Sequence, residues 1–508
     1  MSSRSIMRTK DVDTVIHQGD HDGEPGKAGL RKRLSARDLM GFGIGIVIGT
    51  GIFTLTGVQA KDNAGPAIVV SFAIAGVVSM LAALCYAELA AAVPTAGSSY
   101  TYAYTTIGEV FAWIIAWDLI LEFMLGSAVV ARGWSGYLQD SLGLSTTFFG
   151  EESVVNLGAV FIVIVLGSIA AVGIREATWV TNVLVIVKVG VCAFVIIAGL
   201  FFLKASNLTP FVPPSKQVDD GASGLTQPLW QFLTGVSPTA YGASGVIVAA
   251  AVVFFAYSGF EAVANLGEET ENPSRDMPRG LIGTLVICTL LYLGVCFVIT
   301  AMVNFEDLSE GAPISDAFGQ VGLGWARVLI GIAAVAGLTS VILVELVTIS
   351  RIVFALSRDG LLPEAVGHID EKTNTPFRAT VVITVIVAVI AAFVPLDALA
   401  EMVSIGTLFA FTVVAIAVAV LRRTKPDLPR PFRTPWVPFV PILSAGTCVA
   451  LMSALAVETW LRFLVWLAVG MLIYFLYGRK HSKLEHDART GPDPALAAAR
   501  DVQPPAGR

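Results

Sequence analysis

Gly41-Phe42-Gly43-Ile44-Gly45-Ile46-Val47-Ile48-Gly49-Thr50-Gly51-Ile52-Phe53 sets five glycines into the first long apolar run of a 508-residue chain. A uniform helical rod is not expected from such a run. Gly49-Thr50-Gly51 is the expected point of unwinding, because glycine tolerates non-helical backbone and leaves amides free for close approach to a ligand. Unpaired backbone at membrane depth must line a cavity or be buried in protein. The same glycines also suit a tight helix-packing face of small residues, and the run by itself leaves both readings open.

A second interruption shifts that balance. Five apolar runs later, Phe254-Phe255-Ala256-Tyr257-Ser258-Gly259-Phe260-Glu261-Ala262 again puts a small polar residue and a glycine in the middle of an apolar stretch. Interrupted segments at matching positions of two five-span halves point to an inverted-repeat transporter with its site at the repeat interface. Half-helix N-termini present amides and a positive dipole end to a carboxylate, and freed carbonyls suit a cation or ammonium. A zwitterionic amino acid matches both.

The rest of the chain supplies the setting. Hydrophobic residues make up 55% and charged residues 14%, against roughly one quarter charged in soluble domains. Stretches such as 67–92 and 180–203 suffice to cross a hydrocarbon core about 30 Å thick at about 1.5 Å per helical residue. Alternating segments of a transmembrane barrel are absent, so the expected fold is all-α. Twelve spans are predicted, near 39–59, 66–92, 110–131, 153–173, 177–203, 246–268, 280–303, 325–356, 379–395, 399–421, 437–457 and 460–477. The corresponding organisation is a cytoplasmic N-terminal tail (1–37), a first five-helix repeat (38–203), an extracellular loop (204–245) and a second repeat (246–422). Accessory helices 11 and 12 (423–478) and a disordered cytoplasmic tail (479–508) complete it. The polar leader is too long for a signal-peptide n-region, so the first span is expected to remain in the mature protein.

Lysine and arginine accumulate on the cytoplasmic side of short loops. With both termini inside, 26 fall on that side, six on the other, and Lys188 lies within a span. The expected location is therefore the cytoplasmic membrane, multi-pass, with both termini cytoplasmic. A net charge of −6 gives no basic face for nucleic acid. The five cysteines all fall in apolar spans, as small buried hydrophobes, and neither a disulfide framework nor a metal cluster follows from them.

An ionisable group in mid-membrane costs about 2.5–3.5 kcal/mol on insertion scales, so each needs a partner or a task. Lys188 lies too deep in the fifth span to snorkel. Burial disfavours its ammonium, which suits a proton-coupling residue; the alternative is a permanently charged tie to broken-helix carbonyls. Asp118 and Glu122 are four apart and share a helical face, which must point inward. Glu122, the deeper, is the better contact for substrate or proton, and Asp118 fits a structural partner equally well. Glu345, flanked by Leu343, Val344, Leu346 and Val347, is either a substrate contact or an interior carboxylate bonded to a neighbouring helix. Glu88, near a span end, reads as structural.

Three polar motifs occupy cytoplasmic loops: Pro94 to Tyr100, Glu268 to Pro278 followed by Arg279, and Ser357 to Pro363. Ion pairs that close an inner gate and plain helix caps and turns both fit them. Together with Gly49 to Phe53, Leu121-Glu122, Lys188 and Phe255 to Phe260, these motifs make the chain resemble the amino acid, polyamine and organocation transporter superfamily. Within it, the resemblance is to the cationic amino acid transporter family and its bacterial members. That implies the leucine-transporter fold, with spans one to five and six to ten as inverted repeats, helices 1 and 6 broken, and two accessory helices. It also implies proton coupling, with Lys188 where sodium-coupled relatives bind an ion. Substrate contacts would fall on Val47, Thr50, Gly51, Ala256, Ser258 and Phe260, with Glu122 nearby and Phe260 as a gate. Glu345 departs from the family, whose members commonly carry an uncharged side chain there. A carboxylate at that point would favour cationic amino acids.

The five histidines all lie in tails or loops, and neither an HExxH helix nor a GxxxxGK[ST] loop is present. Enzyme chemistry and ATP-driven pumping are therefore not expected, and no cofactor is. The expected partners are an amino acid substrate, a proton and membrane lipid. The expected function is secondary active transport of L-amino acids, with an exchanger or a membrane amino-acid sensor as alternatives.

Overall fold

The computed structural model describes residues 8–9, 33–94, 98–151, 153–173, 178–218, 224–370, 373 and 375–483. Most of the expected N-terminal tail, residues 95–97 of the first loop motif, Arg175, His17, His21 and the tail beyond residue 483 lie outside them. Within the described residues, eight helical stretches are long and apolar enough to cross a membrane, and three apolar helices are shorter. In chain order the apolar helices are α1 (Ala36–Val47), α2 (Ile68–Ala92), α3 (Glu109–Leu142), α4 (Leu157–Val172), α5 (Thr178–Gly199) and α6 (Gly242–Val253). They continue as α7 (Pro273–Met302), α8 (Gly324–Arg358), α9 (Phe377–Phe393), α10 (Leu396–Thr424), α11 (Phe439–Ser453) and α12 (Val457–Ile473).

The packing pairs three helices of the first half with one five places later: α2 lies against α7, α3 against α8 and α4 against α9. α1 and α6 join the α2/α7 group, and α10 bridges α2, α3 and α11. The outer faces of the bundle are apolar. On α9, Val382, Val385 and Val389 recur at helical spacing and are more than half exposed, a surface suited to lipid and not to water.

The all-α expectation needs one small amendment. In the loop between α5 and α6, β1 (Lys216–Gln217) pairs antiparallel with β2 (Thr239–Ala240), Lys216 opposite Ala240 and Gln217 opposite Thr239. Tyr241, next in sequence, bonds through its hydroxyl to the Lys61 carbonyl and through its amide to that of Asn63. The hairpin thus fastens this loop to the chain around Lys61 and Asn63, which follows the first helical stretch.

Candidate functional site

The first interruption comes one residue earlier than the glycine triplet suggests. α1 ends at Val47, Ile48 is extended (φ −74°, ψ 92°), and helical backbone resumes at Thr50 (φ −56°, ψ −27°). It then runs through Gly51–Leu55, Thr56–Gln59 and Ala60–Ala64. The last regular bond of α1 is Ile48 N–H to the Ile44 carbonyl. The carbonyls of Gly45 to Val47 therefore lose their i+4 donors. Two side chains from other helices take over: the Lys188 ammonium donates to the Gly45 carbonyl at 2.6 Å, and the Tyr292 hydroxyl to that of Val47 at 2.6 Å.

The second interruption follows α6, which tightens at Phe254–Tyr257, opens at Ser258 (ψ 156°) and turns at Gly259. Gly259 has φ 94°, a left-handed conformation that favours glycine. The chain resumes as Phe260–Glu269, whose first amide region is capped from within: Glu261 accepts from Gly259 N–H with both carboxylate oxygens, at 2.9 and 3.0 Å. On the α6 side, Ser404 of α10 accepts from Phe255 N–H at 3.1 Å and donates to the Val252 carbonyl at 3.1 Å.

The two breaks touch. A Cβ added to Gly51 would lie 2.4 Å from both Cα and Cβ of Ala256, so these backbones approach as closely as glycine allows. Tyr292 of α7 spans the junction, donating also to the Ala256 carbonyl at 3.0 Å. Val47, Thr50, Gly51, Ala256 and Ser258 are thereby gathered at one place. Thr50 is fully buried with its hydroxyl oxygen unpartnered, resting on Gly133 of α3. Ser258 keeps partial exposure, and its hydroxyl donates to the Phe255 carbonyl. Phe260 is fully buried in an aromatic cluster with Tyr86 and Phe411, ring centroids 5.8 and 5.1 Å away.

Several buried carboxyl groups lie on the helices packed around the two breaks. Glu122 is buried with neither oxygen in a well-formed hydrogen bond, and Glu261, Asp118 and the Thr407 hydroxyl are within reach of its carboxyl group. Glu345 packs on Gly126, one turn of α3 beyond Glu122, with one oxygen unpartnered and Lys188 and Glu261 within electrostatic reach. Asp118, also unpartnered, abuts Gly406 of α10. Each such unpaired buried polar atom calls for an explanation, a water, an ion or a ligand among them. Glu88 differs: Arg422 grips it at 2.9 and 2.7 Å and Thr434 N–H at 2.7 Å, a purely internal clamp. The sequence reading left Glu261 and Tyr292 unassigned. An acid two residues beyond a glycine break is an N-terminal capping signal; a lone tyrosine between Leu291 and Leu293 carries none.

Both ends of the junction are closed to different degrees. Toward the Leu34 end, a backbone bridge joins the segment before α1 to the end of the second broken helix. Arg33 and Leu34 N–H donate to the Glu269 carbonyl, and Glu271 N–H to that of Leu34. The loop motif at Ser357 to Pro363 forms a turn with Gly360 at φ 77°, its Ser357 hydroxyl on the Pro363 carbonyl. Tyr100 donates to Asp359 at 2.5 Å, and burial together with that carboxylate holds the phenol well above the ordinary tyrosine range. At the opposite end lies a cavity of about 400 Å³ lined by Lys61, Asp140, Glu151, Glu310, Asp316 and Arg327 among others. Gly136 also lines it, one turn of α3 from the Gly133 that touches Thr50. Lys61 pairs with Glu310 at 2.9 Å, and Arg327 with Asp140.

Residues 34–477 match the amino acid permease family. A methylthioribose transporter of Bacillus subtilis is 41% identical over 490 residues, covering 94% of this chain and 99% of the relative. A branched-chain amino acid permease of the same organism is 40% identical over 493 residues, with the same coverage. A vacuolar cationic amino acid transporter of Arabidopsis thaliana is 37% identical over 432 residues, covering 83% of this chain and 68% of the relative.

Proposed function

Since the chain belongs to the amino acid permease family, a family of multi-pass membrane transporters and not of enzymes, we propose that it is a proton-coupled symporter of L-amino acids with a preference for cationic ones. The observation that carries this reading is the Gly51–Ala256 junction of two broken helices, with Glu261 of the second break in electrostatic reach of the buried carboxyls of Glu122 and Glu345, and Lys188 bonded to the first break. Amides at the start of the resumed first helix suit the substrate carboxylate, and the freed carbonyls suit its ammonium. The relatives carry substrates as different as methylthioribose and branched-chain amino acids by name, so selectivity must come from side chains. Here those side chains are acidic, as is the outer cavity, with four carboxylates against two cations. A cationic side chain gains from both.

The pairing of α2 with α7, α3 with α8 and α4 with α9 supports the five-plus-five inverted repeat, with twelve spans and both termini cytoplasmic. The outer cavity is then the substrate's approach. Lys188 holds the Gly45 carbonyl as an ammonium, and loss of its proton would release the first broken helix, which couples proton movement to the cycle. In proteoliposomes, arginine should accumulate against its gradient under an inward proton gradient without sodium. Accumulation that requires sodium, or uptake only against preloaded amino acid, overturns symport in favour of another ion or of exchange.

A further inference from the structure

Between α10 and α11, where both approach the Arg422–Arg433 segment, runs a groove of about 350 Å³. Ala415, Ala419 and Ala445 line it, flanked by Ile416 and Ile442, which stay 47% and 64% exposed. One charged side chain lines it, Arg423. The neighbouring arginines are committed elsewhere: Arg422 clamps Glu88, and Arg430 donates to the Leu421 and Lys425 carbonyls at 3.1 and 2.6 Å. Arg423 is exposed and has no hydrogen bond or ion pair with any described residue.

We propose that this groove binds an anionic phospholipid of the inner leaflet, an acyl chain lying between α10 and α11 and the phosphate facing Arg423. The apolar lining suits a chain and not a soluble anion, and the single unpaired guanidinium stands at the end where a headgroup would sit. The surrounding segment is complementary in charge, with five basic residues from Arg422 to Arg433 against Asp427 alone. This assignment rests on the proposed orientation, which makes that side cytoplasmic and anionic. α10 also carries Ser404, bonded to the second broken helix, and Phe411, packed edge-on against Phe254 and tilted against Phe260 at 5.7 and 5.1 Å. A lipid seated on α10 therefore steadies the helix that holds the break.

The test reads lipid retention and so is independent of transport. Protein extracted from vesicles of phosphatidylcholine and phosphatidylglycerol is examined by native mass spectrometry. The wild type should retain phosphatidylglycerol selectively. Arg423→Gln should reduce that retention about fivefold, the weight of one basic residue near an anionic leaflet. Ala419→Leu should reduce it by filling the groove, while Arg433→Gln, in the same segment but outside the groove, should leave it unchanged. Equal retention of both lipids, an equal loss in Arg433→Gln, or displacement by inorganic phosphate overturns the proposal.

Discussion

Gly51→Ala is the smallest change that probes the junction of the two broken helices. Gly51 does not have a positive φ, so alanine is acceptable to its backbone and only space opposes it. The new Cβ would sit 2.4 Å from Cα and Cβ of Ala256, whereas ordinary contact begins near 3.4 Å. The helices must therefore part by about 1 Å, and both contacting atoms are fixed by backbone. Overpacking of this kind costs about 1–3 kcal/mol. Because the strain falls on the arrangement that binds substrate, the KM for uptake should rise roughly 5- to 150-fold, and Gly51→Val should abolish binding in a thermal-shift assay. Gly41→Ala on α1 is the control, since a Cβ there meets nothing within 4 Å. It should leave uptake unchanged and stabilise the helix slightly. Wild-type KM in Gly51→Ala, or an equal defect in Gly41→Ala, would refute the argument and return the glycines to a packing role.

Lys188→Ala should abolish accumulation driven by a pH gradient in proteoliposomes, and a variant that still concentrates substrate would reduce Lys188 to a helix tie. Glu345→Met should weaken arginine or lysine uptake by about tenfold or more, for about 1.4 kcal/mol of lost pairing, while sparing alanine. Equal loss for all substrates would assign Glu345 to coupling or folding instead. Tyr292→Phe removes the donor shared by the Val47 and Ala256 carbonyls, at a cost of about 1–3 kcal/mol. It should lower thermal stability and raise KM together, whereas Tyr257→Phe, whose hydroxyl donates to the Phe72 carbonyl away from the breaks, should lower stability alone.

The interruptions were legible because glycine and serine inside an apolar run are a local signal. Their placement was legible only to within a residue, since the break is fixed by where carbonyls find new donors. Gly45 and Val47 find Lys188 and Tyr292, residues more than 140 positions away in sequence. Lys188 and Glu122 stood out because charge within a span is costly. Glu261 did not, although it is as buried as they are, because it lies close to a glycine break in a polar-looking stretch. The two-stranded ribbon in the loop between α5 and α6 was invisible to periodicity, being two residues per strand. The clamp on Glu88 needed Arg422 and Thr434, more than 330 residues later, to come within reach.

The bridge between Leu34 and Thr270 yokes the starts and ends of the two interrupted helices by backbone alone. Three amide bonds at about 1 kcal/mol net each would hold the parted state to roughly one molecule in a hundred. In the proposed orientation, passage to the inner side would begin as a rare local unfastening, with a population set before any substrate arrives. Arg33, Leu34 and Glu271 should then exchange their amide hydrogens as one cooperative unit, and a ligand that favours the inward-open form should speed all three alike.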